Sequence, residues 1–237
     1  VWMGPLAVRP YRQGLGVGKA IVTAAIDWLR EQGVRTLGLE TMPRTVENIG
    51  FYSRLGFLPG HLTVTMTNDV KTRAVRGRFE RLGEASVAER RSWLAACASA
   101  LGLAVPGHDY TRELTLTNDL NLGDTLMVTA DDAVTGFALY HSVPLAEARP
   151  ADELRVLKLF AASPEAFDQL IVALEVSAAK LKLRRVALRC QTVYREAYES
   201  LIQRGYRVRW TDLRMCLAGF PEPVLADGAV LFSNWEI

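Results

Sequence analysis

The chain has 237 residues, of which 49% are hydrophobic and 23% are charged, and this balance excludes an intrinsically disordered protein. Its 28 Lys and Arg residues are nearly matched by 26 Asp and Glu residues, so the overall charge indicates neither a nucleic-acid nor a membrane-surface partner. The longest mostly apolar stretch, 170–183, is interrupted by charged residues and is too short to cross a bilayer, which excludes a transmembrane helix.

The first third of the chain has a pattern of alternating strands and helices. Its N-terminus lacks the basic and apolar regions of a secretory signal, so we expect a cytoplasmic protein. An apolar run predicts a strand at 6–8, and apolar residues at helical spacing predict a helix from Ile21 that ends at Gly33. The pattern then predicts a strand, a helix that ends at Gly56, and another strand, at 36–39, 46–55 and 62–66.

A polar and basic segment at 68–78 has no apolar periodicity and is typical of a linker, so we predict two domains, 1–67 and 79–237. Within the second domain the pattern predicts three helices, at 86–101, 164–181 and 194–203. It also predicts a hairpin that turns at Asp131-Asp132 and several later strands, at 125–129, 136–141, 154–160, 185–190, 207–210 and 213–217.

The order of these elements repeats along the chain. Strand, helix, strand, helix and strand follow one another at 6–66 and again at 154–217, over comparable lengths. This indicates an internal repeat of one supersecondary unit.

Three glycines lie between the first predicted strand and the first predicted helix, within 13–19. A loop at this position can bind phosphate, because free backbone N–H groups and the helix dipole favour an anion. A Walker A motif needs four residues between its glycines, whereas Gly14 and Gly18 enclose three, and Ala20 stands where a hydroxyl is needed. A dinucleotide fingerprint needs Gly-x-Gly-x-x-Gly, but these glycines are evenly spaced. A nucleotide-binding module is therefore only a third alternative.

The same loop resembles the acetyl-coenzyme A (acetyl-CoA) loop of the GCN5-related N-acetyltransferase (GNAT) family. The family pattern is Gln/Arg-x-x-Gly-x-Gly/Ala, which is met by Gln13, Gly16 and Gly18, with Pro10 upstream at the matching spacing. A second segment, 48–57, is similar to the Phe-Tyr-x-x-Leu-Gly-Phe helix of the family. Two motifs at the right spacing coincide by chance far less often than one.

The resemblance implies a role for each matched position. The strand before the loop would pair with the pantetheine arm through Leu6, Ala7 and Val8. The loop amides would hold the pyrophosphate, at Gln13, Gly14, Leu15, Gly16, Val17, Gly18 and Lys19. Tyr52 would protonate the departing thiolate, which a phenol of pKa near 10 can do because that thiolate is only modestly basic. Asn48 is a further expected cofactor contact, although the family commonly has its Asn at the place of Thr45.

The resemblance also implies a fold class, α/β (α+β), with tandem acyl-CoA N-acyltransferase-like folds in which helices flank mixed central sheets. The family places on the order of 80 residues before the strand at 6–8, so we expect the first copy to be incomplete at its N-terminal side. In the second copy Leu201 stands where Tyr52 stands in the first, and Glu165 and Asp168 occupy the first helical turn, where they would repel a pyrophosphate. We therefore predict that 79–237 is a degenerate domain.

The resulting functional hypothesis is an acetyl-CoA-dependent N-acetyltransferase that acts directly on a primary amine. The alternative is a catalytically inactive CoA-binding or scaffold protein whose first domain is incomplete. Three scattered histidines and three scattered cysteines give no metal-ligand spacing, so we expect no metal. Glu40, Glu236 and the carboxylate of Ile237 are candidate general bases. An uncovered sheet edge beside 6–8 would favour a homodimer.

Overall fold

The computed structural model describes residues 1–70, 79–144 and 150–233 and confirms the mixed α/β class. Within these residues lie six α-helices and two short 3-10 helices, Pro10–Arg12 and Leu82–Glu84. The α-helices are α1 (Val17–Glu31), α2 (Val46–Ser53), α3 (Val87–Ala104), α4 (Thr111–Asp119), α5 (Pro164–Lys180) and α6 (Arg195–Arg204). The same residues form nine strands: β1 (Gly38–Thr41), β2 (Phe57–Asp69), β3 (Glu80–Arg81), β4 (Gly123–Ala130), β5 (Ala133–His141), β6 (Glu153–Ala161), β7 (Arg185–Gln191), β8 (Arg207–Leu217) and β9 (Val230–Ser233).

The chain folds into two compact units that are not consecutive in sequence. Unit 1 is Val1–Thr63 with Thr211–Pro223, and unit 2 is Val64–Trp210 with Val224–Ile237. Strands β2 and β8 therefore each begin in one unit and end in the other. Most of the predicted linker, 71–78, lies outside the described residues, so the domain limits 1–67 and 79–237 stay predictions.

In unit 1, strand β8 lies between β1 and β2. Strands β1 and β8 are antiparallel, with Gly38 opposite Cys216 and Thr41 opposite Leu213. Helix α1 packs on this sheet because its buried residues recur on a single helical face. The resulting core consists of Val22, Ile26, Leu29, Leu37, Leu39, Phe57, Met215 and Leu217.

In unit 2 the strands follow the order β8-β2-β7-β6-β5-β4-β3, and β9 pairs with β6. Strands β6 and β7 are parallel, whereas β4, β5 and β6 form an antiparallel meander. Helix α3 contributes Cys97 and Leu101 to a core that also contains Met127, Phe137 and Phe160. Burial raises the pKa of the Cys97 thiol to about 12, so this group acts as a small apolar side chain.

Local sequence signals account for several boundaries. Helix α3 starts with a capping box, in which the Ser86 side chain accepts from the Glu89 amide and the Glu89 carboxylate accepts from the Ser86 amide. Helix α5 has the predicted Ser163 cap followed by proline. The predicted hairpin turn at Asp131-Asp132 is confirmed, and the φ angles of 50° and 62° at these residues are those of a type I′ turn.

The predicted strand at 6–8 is wrong. Within the described residues only Trp2 forms a β-bridge in this segment, to Gly38, because no described strand lies beside 6–8 to pair with its backbone. The prolines at 5 and 10 restrict the segment further. The homodimer, which was expected from an uncovered strand edge here, stays a prediction.

Four further elements differ from expectation. The strands predicted at 207–210 and 213–217 form one strand, β8, which continues across the polar residues 211–212. Helix α4 and strands β3 and β9 were not predicted. In the part of the chain that the structure describes, no helix has the length and apolarity needed to span a membrane.

Two leucines on helix α3 provide a matched test of the core of unit 2. Leu101 is 0% exposed and Leu103 is 84% exposed. We expect Leu101→Ala to lower the free energy of unfolding by about 2–5 kcal/mol through lost burial and a residual cavity. Leu103→Ala should change it by less than about 0.5 kcal/mol. Urea unfolding of both variants measures the difference, and equal losses would contradict this packing.

Candidate active site

The glycine loop leads into helix α1 through two glycines in the left-handed region. Gly14 has φ 77° and Gly16, the residue that caps α1, has φ 78°. A Cβ atom at either position would meet nothing within 4 Å. Glycine is therefore required here for backbone conformation, and the space around the loop stays open to a ligand.

The charges around this loop favour an anion. The first turn of α1 contains no acidic residue, and Lys19 lies in that turn. The first amides of an α-helix have no partner within the helix, and they carry the positive end of its dipole. Residues 11–17 are all exposed, so these groups can reach a bound phosphate.

Segment 6–8, the loop and helix α2 meet at one place. The Gln13 side chain donates from Nε2 to the Val8 carbonyl over 3.0 Å. A Cβ atom at Gly18 would lie 3.6 Å from Val8 Cγ2 and 3.7 Å from Phe51 Cζ. The structure thus brings together the sequence motifs 6–8, 13–19 and 48–57, although 6–8 is not a strand.

Tyr52 lies in the last turn of α2 and is half-buried. Its ring packs edge-on against Phe51 at 5.1 Å and against Phe57 at 6.0 Å between ring centroids. Burial raises the pKa of Tyr52 above its ordinary value, so the phenol holds its proton at neutral pH. This is the protonation state that a general acid needs.

Asn48 lies one helical turn before Tyr52, in the first turn of α2. Its Nδ2 donates to Thr41 Oγ1 over 3.4 Å, and Thr41 is the last residue of β1. Residues four apart in a helix share a face, so Asn48 and Tyr52 lie on the same side of α2. Asn48 is itself exposed and accessible to a ligand.

Glu40, a candidate base, is held in a buried ion pair. Arg214 Nη1 lies 2.7 Å from Glu40 Oε1, and both side chains are 3% exposed. Arg214 also binds Glu222 at 2.8 Å, and its guanidinium stacks 3.7 Å from the centre of the Trp2 ring. Thr63 donates its hydroxyl to Glu40. The Glu40 carboxylate is thus engaged by a cation and a hydroxyl, an arrangement typical of a structural group.

This ion pair was not found by sequence reasoning. Its one sequence signal is an arginine within the otherwise apolar end of the strand at 213–217. Burial alone would lower the pKa of Arg214, but hydrogen bonds and charges from Glu222 and Glu40 outweigh it and raise that pKa. The guanidinium therefore stays charged. The other candidate bases, Glu236 and the carboxylate of Ile237, lie outside the described residues.

The exposed glycine loop at the start of α1 thus lies close to the helix that carries the half-buried Tyr52. Residues 1–57 match the model of the acetyltransferase (GNAT) family. This segment is therefore similar to a family of N-acetyltransferases, whose cosubstrate is acetyl-CoA. Among curated proteins none matches the chain.

Solved structures share the fold of the chain at low sequence identity. A GCN5-related N-acetyltransferase from Sphaerobacter thermophilus has a TM-score of 0.55 and 15% identity, over 92% of this chain and 73% of that protein. A candidate acetyltransferase from Pyrococcus horikoshii has a TM-score of 0.64 and 16% identity, over 98% and 69%. A tandem GNAT protein from the clavulanic acid biosynthesis pathway has a TM-score of 0.52 and 12% identity, over 94% and 76%. These similarities concern the fold.

The buried ion pair can be tested by a double-mutant cycle. We expect Arg214→Met to lower the free energy of unfolding by about 3–5 kcal/mol, because it leaves Glu40 charged and buried without a counter-charge. Adding Glu40→Gln should recover part of that loss, since the amide carries no charge. Urea unfolding of the two single variants and the double variant gives the coupling energy. Strictly additive losses would show that the two side chains do not stabilise each other.

Proposed function

We propose that the chain is an N-acetyltransferase that transfers the acetyl group of acetyl-CoA directly to a primary amine. The observation that carries this proposal is the convergence in unit 1 of an open glycine loop at the start of α1 and a protonated, half-buried Tyr52 on α2. The family match covers both motifs.

The cosubstrate would be held by two stretches of backbone. The loop amides of 13–19 would bind the pyrophosphate, since residues 13–17 are exposed and no carboxylate competes in the first turn of α1. The backbone of 6–8 pairs with no described strand, and although the Val8 carbonyl accepts from Gln13, its other groups can offer hydrogen bonds to the amides of the pantetheine arm. Asn48 would add a side-chain contact from α2.

Acetyl-CoA supplies an acetyl group that its thioester bond activates toward amines. Tyr52 would hold the proton that the departing sulfur takes up, which its raised pKa favours. Direct transfer agrees with the state of the cysteines: burial raises the pKa of Cys97 and Cys190 to about 12 and that of Cys216 to about 11. Such thiols are poor nucleophiles, and this argues against a covalent acyl-enzyme.

We further propose that 79–237 is a degenerate copy of the acetyltransferase fold. Leu201, at the place that corresponds to Tyr52, is 0% exposed and can donate no proton. Glu165 lies in the first turn of α5, but the placement of Asp168 in that turn was wrong: it lies one turn later and pairs with Arg204 at 2.9 Å. Glu165 would disfavour a pyrophosphate at that helix start. A tandem organisation also occurs in the GNAT protein of the clavulanic acid pathway.

Two glycines at opposite ends of α1 test the loop. Gly16 and Gly33 both have positive φ, of 78° and 69°, and both have open space around a Cβ atom. Valine at either position should cause similar backbone strain. We expect calorimetric titration with acetyl-CoA to show binding for the Gly33→Val chain and at least about tenfold weaker binding for the Gly16→Val chain. Equal affinities would exclude the loop as the cofactor site.

Tyr52→Phe tests the proposed acid. We expect kcat to fall by about 100-fold or more with the best acceptor from a panel of primary amines, because the leaving sulfur loses its proton donor. The acetyl-CoA dissociation constant should change by less than about threefold. Since burial raises the pKa of Tyr52, the parent kcat should fall only above about pH 10 as this proton is lost.

Unchanged turnover in the Phe variant would remove Tyr52 from the mechanism. Binding of acetyl-CoA by the parent chain without turnover on any amine would favour the alternative, a catalytically inactive CoA-binding protein.

A further inference from the structure

Unit 2 contains a cavity of about 320 Å³ that the proposed acetyl transfer does not use. Its walls come from strands β2, β6, β7 and β8. The pairing of β6 with β7 ends at Arg155 opposite Ala187, and the residues that follow on both strands line the cavity. The volume is within the range of small-molecule sites.

The charged side chains in this cavity are mostly cationic. Four arginines line it, Arg155, Arg185, Arg189 and Arg209, against one carboxylate, that of Glu153. Arg185 is engaged by Glu153 at 2.5 Å and by Asp152 at 3.2 Å. The carboxylate is therefore already used by one of the four cations, and the cavity keeps an excess of positive charge.

Two of these guanidinium groups are held in fixed orientations by neutral acceptors. Arg155 Nη2 donates to the Val143 carbonyl over 3.0 Å, and Arg209 Nε donates to Thr67 Oγ1 over 2.8 Å. Each guanidinium has five N–H donors, so further donors can serve a ligand. Burial lowers the pKa of Arg155, and the smaller opposing effect of the Glu153 and Asp152 carboxylates does not restore it. An added anion would therefore stabilise this cation.

A buried hydroxyl in the wall supplies an independent indication of a ligand. Thr65 is 5% exposed and lines the cavity, and its Oγ1 has no hydrogen-bond partner among the residues that the structure describes. A buried hydroxyl without a partner costs free energy, which a ligand oxygen would recover. Arg189, which is 4% exposed, lines the same cavity.

The remaining wall is apolar and aromatic. It consists of Val156, Leu157, Ala187, Leu188 and Trp210. We propose that this cavity binds a small organic oxyanion, a carboxylate or a phosphate monoester carried on an apolar body. The arginine forks match two oxygens of such a group, and the apolar wall covers its body.

NMR titration of the 15N-labelled 237-residue chain at constant ionic strength tests this proposal. The probes are benzoate, phenyl phosphate, inorganic phosphate and benzamide, the last being an uncharged analogue of benzoate. We expect benzoate or phenyl phosphate to shift amides of β2, β6 and β7 and to bind at least about tenfold more tightly than benzamide. The stronger of the two anions identifies the oxyanion class.

The variants Arg155→Met and Arg209→Met should each weaken binding of that anion by about tenfold or more. Arg207→Met is the matched control, since Arg207 is exposed on the same strand as Arg209 but does not line the cavity, and it should change binding by less than about twofold. Gly16→Val should leave this binding unchanged, which separates the cavity from the acetyl-CoA loop.

Three results would overturn the proposal: benzamide binds as well as benzoate, inorganic phosphate binds as well as phenyl phosphate, or both cavity variants bind like the parent. Equal binding of benzamide would exclude a role for charge, and equal binding of inorganic phosphate would exclude a role for the apolar wall. Unchanged binding in both variants would exclude a role for these arginines. The comparison among probes uses the parent chain, so it does not depend on the folding of a variant.

Discussion

The antiparallel pairing of β1 with β8 is the constraint on which unit 1 depends. It places Glu40 opposite Arg214 across 174 positions of sequence and brings Met215 and Leu217 into the core beneath α1. A slip of one residue would turn Arg214 to the other face and separate the buried charges. The ion pair therefore fixes the register, since any other register would leave a carboxylate buried without its cation.

The chemistry proposed for unit 1 would be carried by the segments that this sheet supports. Strand β1 ends at Thr41, whose hydroxyl accepts from Asn48 and so ties the start of α2 to the sheet. Phe57, at the start of β2, packs against the Tyr52 ring from the buried side. Helix α1 begins after Gly16, whose backbone is in the left-handed region. Other residues adopt this conformation only at a cost in free energy. Loops and helix ends thus hold the candidate functional groups, while the sheet fixes their positions.

Sequence reasoning succeeded where the signal is local. Helix α5 follows from its cap and apolar spacing, and the hairpin at Asp131-Asp132 follows from its turn residues. It failed where structure depends on distant partners. A strand at 6–8 needs a neighbouring strand to pair with. None of the described strands supplies one, and the local sequence pattern cannot reveal this. The Glu40–Arg214 pair is likewise invisible locally, because the two residues meet only through the register of β1 and β8.

The split composition of unit 1 affects the order of events on the ribosome. The segment that matches the family leaves the ribosome well before Thr211–Pro223, which its sheet needs. At usual rates of translation the delay is roughly 10–35 s, during which β1 has no partner strand and Glu40 no counter-charge. Unit 1 is thus completed only after Val64–Trp210 of unit 2 has been made. A prematurely terminated product would contain the glycine loop but lack strand β8, with which β1 pairs. Such an incomplete chain could not form the sheet of unit 1.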